Sequence, residues 1–130
     1  MTEPATGVRG IRQVAQRATD LDRAVGFYRD TLGASFLASF DPPGLAFFDL
    51  AGVRLLLEPS ASSTTLYFAV DDIDASFDEL RSRGVVFEQG PQLVHRDDDG
   101  TLGTAGEEEW MAFFRDPDGN LLAITVRRSG

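Results

Sequence analysis

Carboxylates, 21 in all, dominate the side chains that could do acid–base or metal chemistry, and the other types restrict which chemistry is open. His95 is the only histidine, and there is no cysteine. Thiolate nucleophiles, thiolate metal sites and disulfides are thereby excluded. One imidazole can pass a proton near neutral pH but cannot build a metal centre alone. Glu58 closes the apolar run VRLLLE just before Pro59. A carboxylate at a strand end inside a cavity loses solvation, which raises its pKa and makes it a general-base candidate. At a rim open to water it is only a solvated charge. Glu58 and His95 are therefore the two candidate catalytic residues. Acids also cluster at 97–99 and 107–109, around a Gly-rich loop. The alternating donors and terminal Glu of a calcium-binding EF-hand are missing, so 97–106 reads as a solvated loop or a gating lid.

The elements that must position these groups follow from periodicity. Residues 8–18 alternate loosely and predict a strand. Thr19 or Asp20 then caps a helix over 21–33, with Leu21, Val25, Tyr28 and Leu32 at helical spacing and Gly33 as its stop. Strands are predicted at Ser35–Phe40, Leu45–Leu50 and Val53–Glu58, separated by turn residues. After the small-residue linker PSASST the order repeats. A strand at 65–70 leads to Asp71 or Asp72 capping IDASFDELRSRG. Strand pieces follow at 85–88 and 92–96, then strands at 108–115 and 120–126 joined by the turn DPDG. Phe47, Phe48, Phe113 and Phe114 are read mainly as core, with alternate rings available to a cavity wall.

The repeat shows in letters as well as order. Asp20-Leu21-Asp22 matches Asp72-Ile73-Asp74, Gly33-Ala34-Ser35-Phe36 matches Gly84-Val85-Val86-Phe87, and Ala46-Phe47-Phe48 matches Ala112-Phe113-Phe114. A period near half the chain suggests pseudo-twofold duplication rather than a solenoid. The expected organisation is a disordered tail at 1–7, a first module at 8–58, a linker at 59–64 and a second module at 65–127. The chain's 130 residues suit one domain with a real core. No apolar run approaches the ~20 residues of a membrane span, and the first ten residues lack a signal-peptide pattern, so a cytoplasmic location is expected. The net charge of −9 makes nucleic acid an unlikely partner and favours solubility.

The segment IRQVAQRATDLDRAVGFYRDTLG resembles the opening strand and helix of the vicinal oxygen chelate superfamily, which includes glyoxalases, bleomycin resistance proteins and extradiol dioxygenases. Those proteins commonly run I-x-H-V-x-x-x-V-x-D-L-x-R-S-x-x-F-Y-x-x-x-L-G. LYFAVDDIDASFDELRSRGVVF is similar to the second module's strand and helix, and FFRDPDGNLLAI to the closing F-x-D-P-D-G-N-x-x-E-L. The resemblance implies an α+β fold of two tandem βαβββ modules, each a curled mixed sheet forming a half barrel, with helices outside and a central cavity. It also implies a homodimer.

Metal-dependent members of that superfamily carry His or Gln early and Glu late in each module. Transferred position by position, these ligands fall on Gln13 and Leu56 in the first module, and on Thr65 and Ala123 in the second. One amide, one hydroxyl and two hydrocarbons lack the donors that an open divalent site needs. No metal is therefore expected, unless Glu58 stands in for the late Glu. The expectation is a protein that binds a small organic molecule in a cavity lined by Gln13, Leu56, Glu58, Thr65, Tyr67, Trp110, Ala123 and Thr125. His95 reads first as a loop-edge residue contacting solvent or backbone; the functional alternative is that His95, Arg96 and Trp110 flank the cavity mouth. The residues leave open whether that molecule is sequestered or transformed. The alternative is a glyoxalase- or epimerase-type lyase or isomerase using Ni, Zn, Mn, Fe or Mg.

Overall fold

A strand with alternate apolar residues, followed at once by an acidic helix cap, opens each half of the chain. The computed structural model describes residues 6–130; of the tail expected at 1–7, residues 1–5 lie outside the described residues. The first half runs β1 (Gln13–Arg17), α1 (Leu21–Gly26) continuing into a π-helical turn (Phe27–Thr31), β2 (Ser35–Phe40), β3 (Leu45–Leu50) and β4 (Val53–Glu58). The second runs β5 (Leu66–Ala69), α2 (Ile73–Ser82), β6 (Phe87–Asp97), β7 (Glu107–Arg115) and β8 (Leu121–Ser129). Each half is one four-stranded mixed sheet, ordered β1-β4-β3-β2 in the first and β5-β8-β7-β6 in the second. The β1–β4 and β5–β8 pairs are parallel, and the remaining pairs are antiparallel. The chain is thus an α+β protein of two tandem βαβββ modules, dividing between Ser62 and Ser63.

Both helices start on a side-chain cap. Asp20 Oδ1 accepts the Arg23 N–H at 3.1 Å, and Asp72 Oδ1 accepts the Ala75 N–H at 3.0 Å. Each cap satisfies a donor that the first helical turn leaves unpaired. The helix predicted over 21–33 loosens after Gly26, where Leu32 N–H reaches back five residues to the Phe27 carbonyl at 2.9 Å. The widened turn holds Tyr28, which is fully buried with its ring 6.0 Å from that of Phe48.

Strand alternation then divides each sheet into a helix-covered face and an open one. In the first module Gln16, Ala46, Phe48, Leu55 and Leu57 are fully buried. In the second, Ala112, Phe114, Leu122 and Ile124 are buried, as are Ile73 and Leu80 of α2. The internal repeat holds rung by rung. Ala46, Phe47 and Phe48 pair with Leu57, Leu56 and Leu55, just as Ala112, Phe113 and Phe114 pair with Ile124, Ala123 and Leu122.

Three predicted boundaries move, each for a pairing reason. β1 starts at Gln13 rather than at residue 8, because its neighbour β4 begins at Val53 and the shared register opens with Gln13 beside Arg54. The pieces at 85–88 and 92–96 form one strand, β6, which absorbs Gly90 and Pro91 through register shifts. Pro91 is tolerated there because β6 is an edge strand. β8 runs on to Ser129, where the acids of Glu107, Glu108 and Glu109 face Ser129, Arg128 and Arg127.

Candidate functional site

On the open face of the first module, β1 contributes Gln13 and Ala15, which lie beside Arg54 and Leu56 of β4. Phe47 and Asp49 of β3 continue the same rungs. Arg54 Nε donates to Gln13 Oε1 at 2.7 Å, and its guanidinium lies 5.7 Å from the Phe47 ring centroid. The Phe40 ring meets Phe47 edge-on at 6.0 Å. Leu56 is buried, flanked by Ala15 and Phe47. Glu58 stands at the end of β4, half-buried and beside Arg17, and its Oε1 accepts the Ser60 hydroxyl. Four residues, about 13 Å of strand, separate it from the Gln13–Arg54 rung. The strand therefore does not bring Glu58 to Gln13.

On the open face of the second module, Tyr67 pairs with Ala123 and Ala69 with Thr125. Phe113 and Met111 of β7 extend those rungs from the other side. Tyr67 is 55% exposed, and its ring meets that of Phe113 edge-on at 6.3 Å. Ala123 lies between these two rings and is fully buried. Thr65, just ahead of β5, is exposed. His95 is an exposed residue of β6 paired with Glu109 on this face. Thr125 Oγ1 is buried and has no hydrogen-bond partner among the described residues.

Trp110 departs from the expectation. β7 keeps unbroken alternation against β8, so Trp110 shares the helix-covered side with Ala112 and Phe114 rather than the open side with Phe113. Its ring lies 4.4 Å from the Arg128 guanidinium, and Nε1 donates to Glu108. Arg128 in turn reaches Asp74 of α2 at 3.5 Å. Arg96, paired with Glu108, lies on that side as well. Nearness to the acidic loop suggested a place at a cavity mouth, but strand parity overrides it.

β5 leaves the sheet after Ala69, whereas β8 continues to Ser129. The notch so created is a pocket of about 410 Å³, lined by Ala69, Asp71, Glu109, Thr125, Val126 and Arg127 among others. Arg127 is held by Asp97 at 3.0 Å and Glu107 at 3.3 Å. Asp97 is 2% exposed, and its carboxylate also accepts the N–H groups of Thr101 at 2.8 Å and Leu102 at 2.9 Å. Burial pushes this carboxyl up, but the Leu102 N–H, the Arg127 guanidinium and the Thr101 N–H outweigh it and hold it below the usual carboxylate range. The Arg127 guanidinium is raised by the Asp97 bond, against its own burial. Gly103 packs so closely on Arg127 that an added Cβ would sit 2.9 Å from a guanidinium nitrogen. The loop at 97–106 is therefore pinned to the sheet at its base. Sequence reasoning passed over Arg54, Asp97, Glu109 and Arg127. The legible signal was EEE at 107–109 and RRS at 127–129, complementary charges placed to pair across a hairpin.

The positions at which metal-dependent relatives of this fold carry ligands do not fit a cation. The Gln13 carboxamide oxygen already serves a guanidinium, whose charge repels a metal. Leu56 and Ala123 are hydrocarbons buried beneath neighbouring side chains. Among the described residues, no group of three His, Asp or Glu side chains is arranged to hold a metal ion.

With two βαβββ modules and these open sheet faces described, the chain belongs to the Glyoxalase/Bleomycin resistance protein/Dioxygenase superfamily, whose family model matches residues 10–124. It is 33% identical over 122 residues to a glyoxylase-like domain-containing protein from Didymella fabae, covering 85% of this chain and 88% of that protein. Its fold is similar to that of a virulence protein from Salmonella typhimurium (TM-score 0.72, 23% identity, 92% of this chain and 97% of that one). It is also similar to lactoylglutathione lyase from Agrobacterium tumefaciens (TM-score 0.68, 23% identity, 96% of each chain). No helix among the described residues is long and apolar enough to cross a membrane.

Proposed function

We infer that this protein binds a small organic molecule without a metal, on the open face of its second module. The observation that carries this reading is the notch beyond the end of β5, a pocket of about 410 Å³ whose lining joins Thr125, Glu109 and Arg127. Tyr67 and Phe113 supply an apolar surface on the same face, and Glu109 and Arg127 supply polar contacts. A mixed lining of this kind suits a small ligand with an apolar body and a few hydrogen-bonding groups. His95, paired with Glu109 across β6 and β7, is the nearest imidazole along the strand to the Glu109 that lines the pocket. Glu58 belongs to the first module and its carboxylate already accepts the Ser60 hydroxyl, so it is no part of this pocket.

The test is a fragment screen on the metal-free protein, read by amide and methyl NMR. Fragments that shift Thr125, Ala69 and Met111 together, and lose at least about fivefold in affinity in Thr125→Val, fit the reading. Hits that bind only after metal is added, or that leave these residues unshifted, overturn it. Metal-dependent turnover of a hemithioacetal substrate would favour the lyase alternative instead.

A further inference from the structure

Arg54 is an anion-recognition residue, we propose, and the open face of the first module takes a ligand that carries a carboxylate on an apolar body. This goes beyond the pocket around Thr125 and does not rest on it. Arg29, Arg83, Arg96, Arg115, Arg127 and Arg128 each pair with a carboxylate. Among the described residues Arg9, Arg12, Arg54 and Arg81 pair with none, and Arg54 differs in being held by the neutral amide of Gln13. The nearest acid along its rung, Asp49, turns its Oδ1 to the Gly52 N–H at 3.2 Å. Glu58 lies four residues further along the strand. In a chain of net charge −9, an exposed guanidinium without a carboxylate is a conspicuous local positive charge.

The side chain is also held in place. Its Nε donates to Gln13 Oε1 at 2.7 Å and its guanidinium carbon lies 5.7 Å from the Phe47 ring centroid, and neither contact uses the terminal nitrogens. A guanidinium oriented in advance presents its donor fork to a carboxylate with little further loss of side-chain entropy. Exposed Phe40, edge-on to Phe47, and exposed Leu37 of the same edge strand provide apolar surface for the rest of the ligand. The recognition chemistry is thus a planar oxyanion on Arg54 and hydrophobic contact beside it.

The experiment titrates the full chain with phenylacetate and, separately, with its neutral counterpart phenylacetamide, following the Arg54 Nε–H resonance by NMR. A saturable shift is expected with phenylacetate, with phenylacetamide at least about tenfold weaker. Arg54→Gln should abolish that preference. Arg54→Lys, which keeps the charge but loses the fork, should retain only part of it. Gln13→Leu should keep the preference with severalfold weaker binding, because the guanidinium is no longer oriented. Equal affinity for the two probes, no saturable shift at about 20 mM phenylacetate, or a preference that survives Arg54→Gln in a folded protein would overturn the proposal. Loss of the preference in Thr125→Val would also overturn it, by assigning recognition to the other pocket.

Discussion

Thr125→Val should make this protein more stable while making it a poorer binder. The Thr125 hydroxyl is buried without a partner, so valine replaces a desolvated polar group by a methyl of nearly the same shape. The wild-type penalty of an unpaired buried hydroxyl is about 1–3 kcal/mol, and its removal should return about 1–2 kcal/mol of it. Thr125 is paired with Ala69 and Met111, so the added methyl meets apolar neighbours on both sides. For a chain of this length each kcal/mol is worth about 3–4 °C in Tm, which predicts a rise of roughly 3–8 °C. Valine also keeps the β-branched shape that a central strand favours, so backbone propensity does not confuse the result. Thermal unfolding by circular dichroism, with and without a fragment that shifts Thr125, gives both readouts from one pair of proteins. A Tm lowered by 2 °C or more would refute the reasoning, since it would mean that the folded protein already satisfies the hydroxyl.

Three further outcomes follow from the same geometry. Asp97 is held below the ordinary carboxylate range, so its stabilising contribution is fully present above about pH 4 and is lost as pH falls through its folded pKa. Asp97→Asn should therefore unfold more easily at neutral pH, with the gap to wild type closing on acidification; a gap that stays constant down to pH 2 contradicts this assignment. Asp72→Ala removes the α2 cap and should cost about 1 kcal/mol, seen as a Tm lower by about 3–4 °C, whereas no change would mean the cap is replaceable. Trp110→Phe loses the Nε1 bond to Glu108 and should weaken stability by about 1 kcal/mol while leaving fragment binding at Thr125 unchanged. Weakened binding would return Trp110 to the ligand site.

Element types were largely legible because they rest on short-range rules. β2, β3 and β4 fall on the predicted residues because each is bounded by turn residues and paired along its full length. The face assignments of Gln13, Leu56, Tyr67, Ala123 and Thr125 follow from period-two alternation, which a strand cannot evade without a bulge. The face of Trp110 depends on its parity within β7, which fixes it with Ala112 and Phe114 only once the register against β8 is known. The role of Asp97 was not readable, since its partners at 101, 102 and 127 converge only once the hairpin closes. Arg54 escaped notice for a similar reason: the side chain that orients it lies 41 residues earlier.

If the protein binds its ligand without a metal, as proposed, its response to metal ions is the most direct test. Purified, untagged protein would be assayed for bound metal, stripped, and melted with Ni, Zn, Mn, Fe or Mg ions. A specific site at a hundredfold excess over its Kd would stabilise the fold by about 2.7 kcal/mol, close to 10 °C here. The account predicts substoichiometric metal and no shift of that size. Stoichiometric metal with such a shift would contradict it and make Gln13 and its neighbours ligands after all.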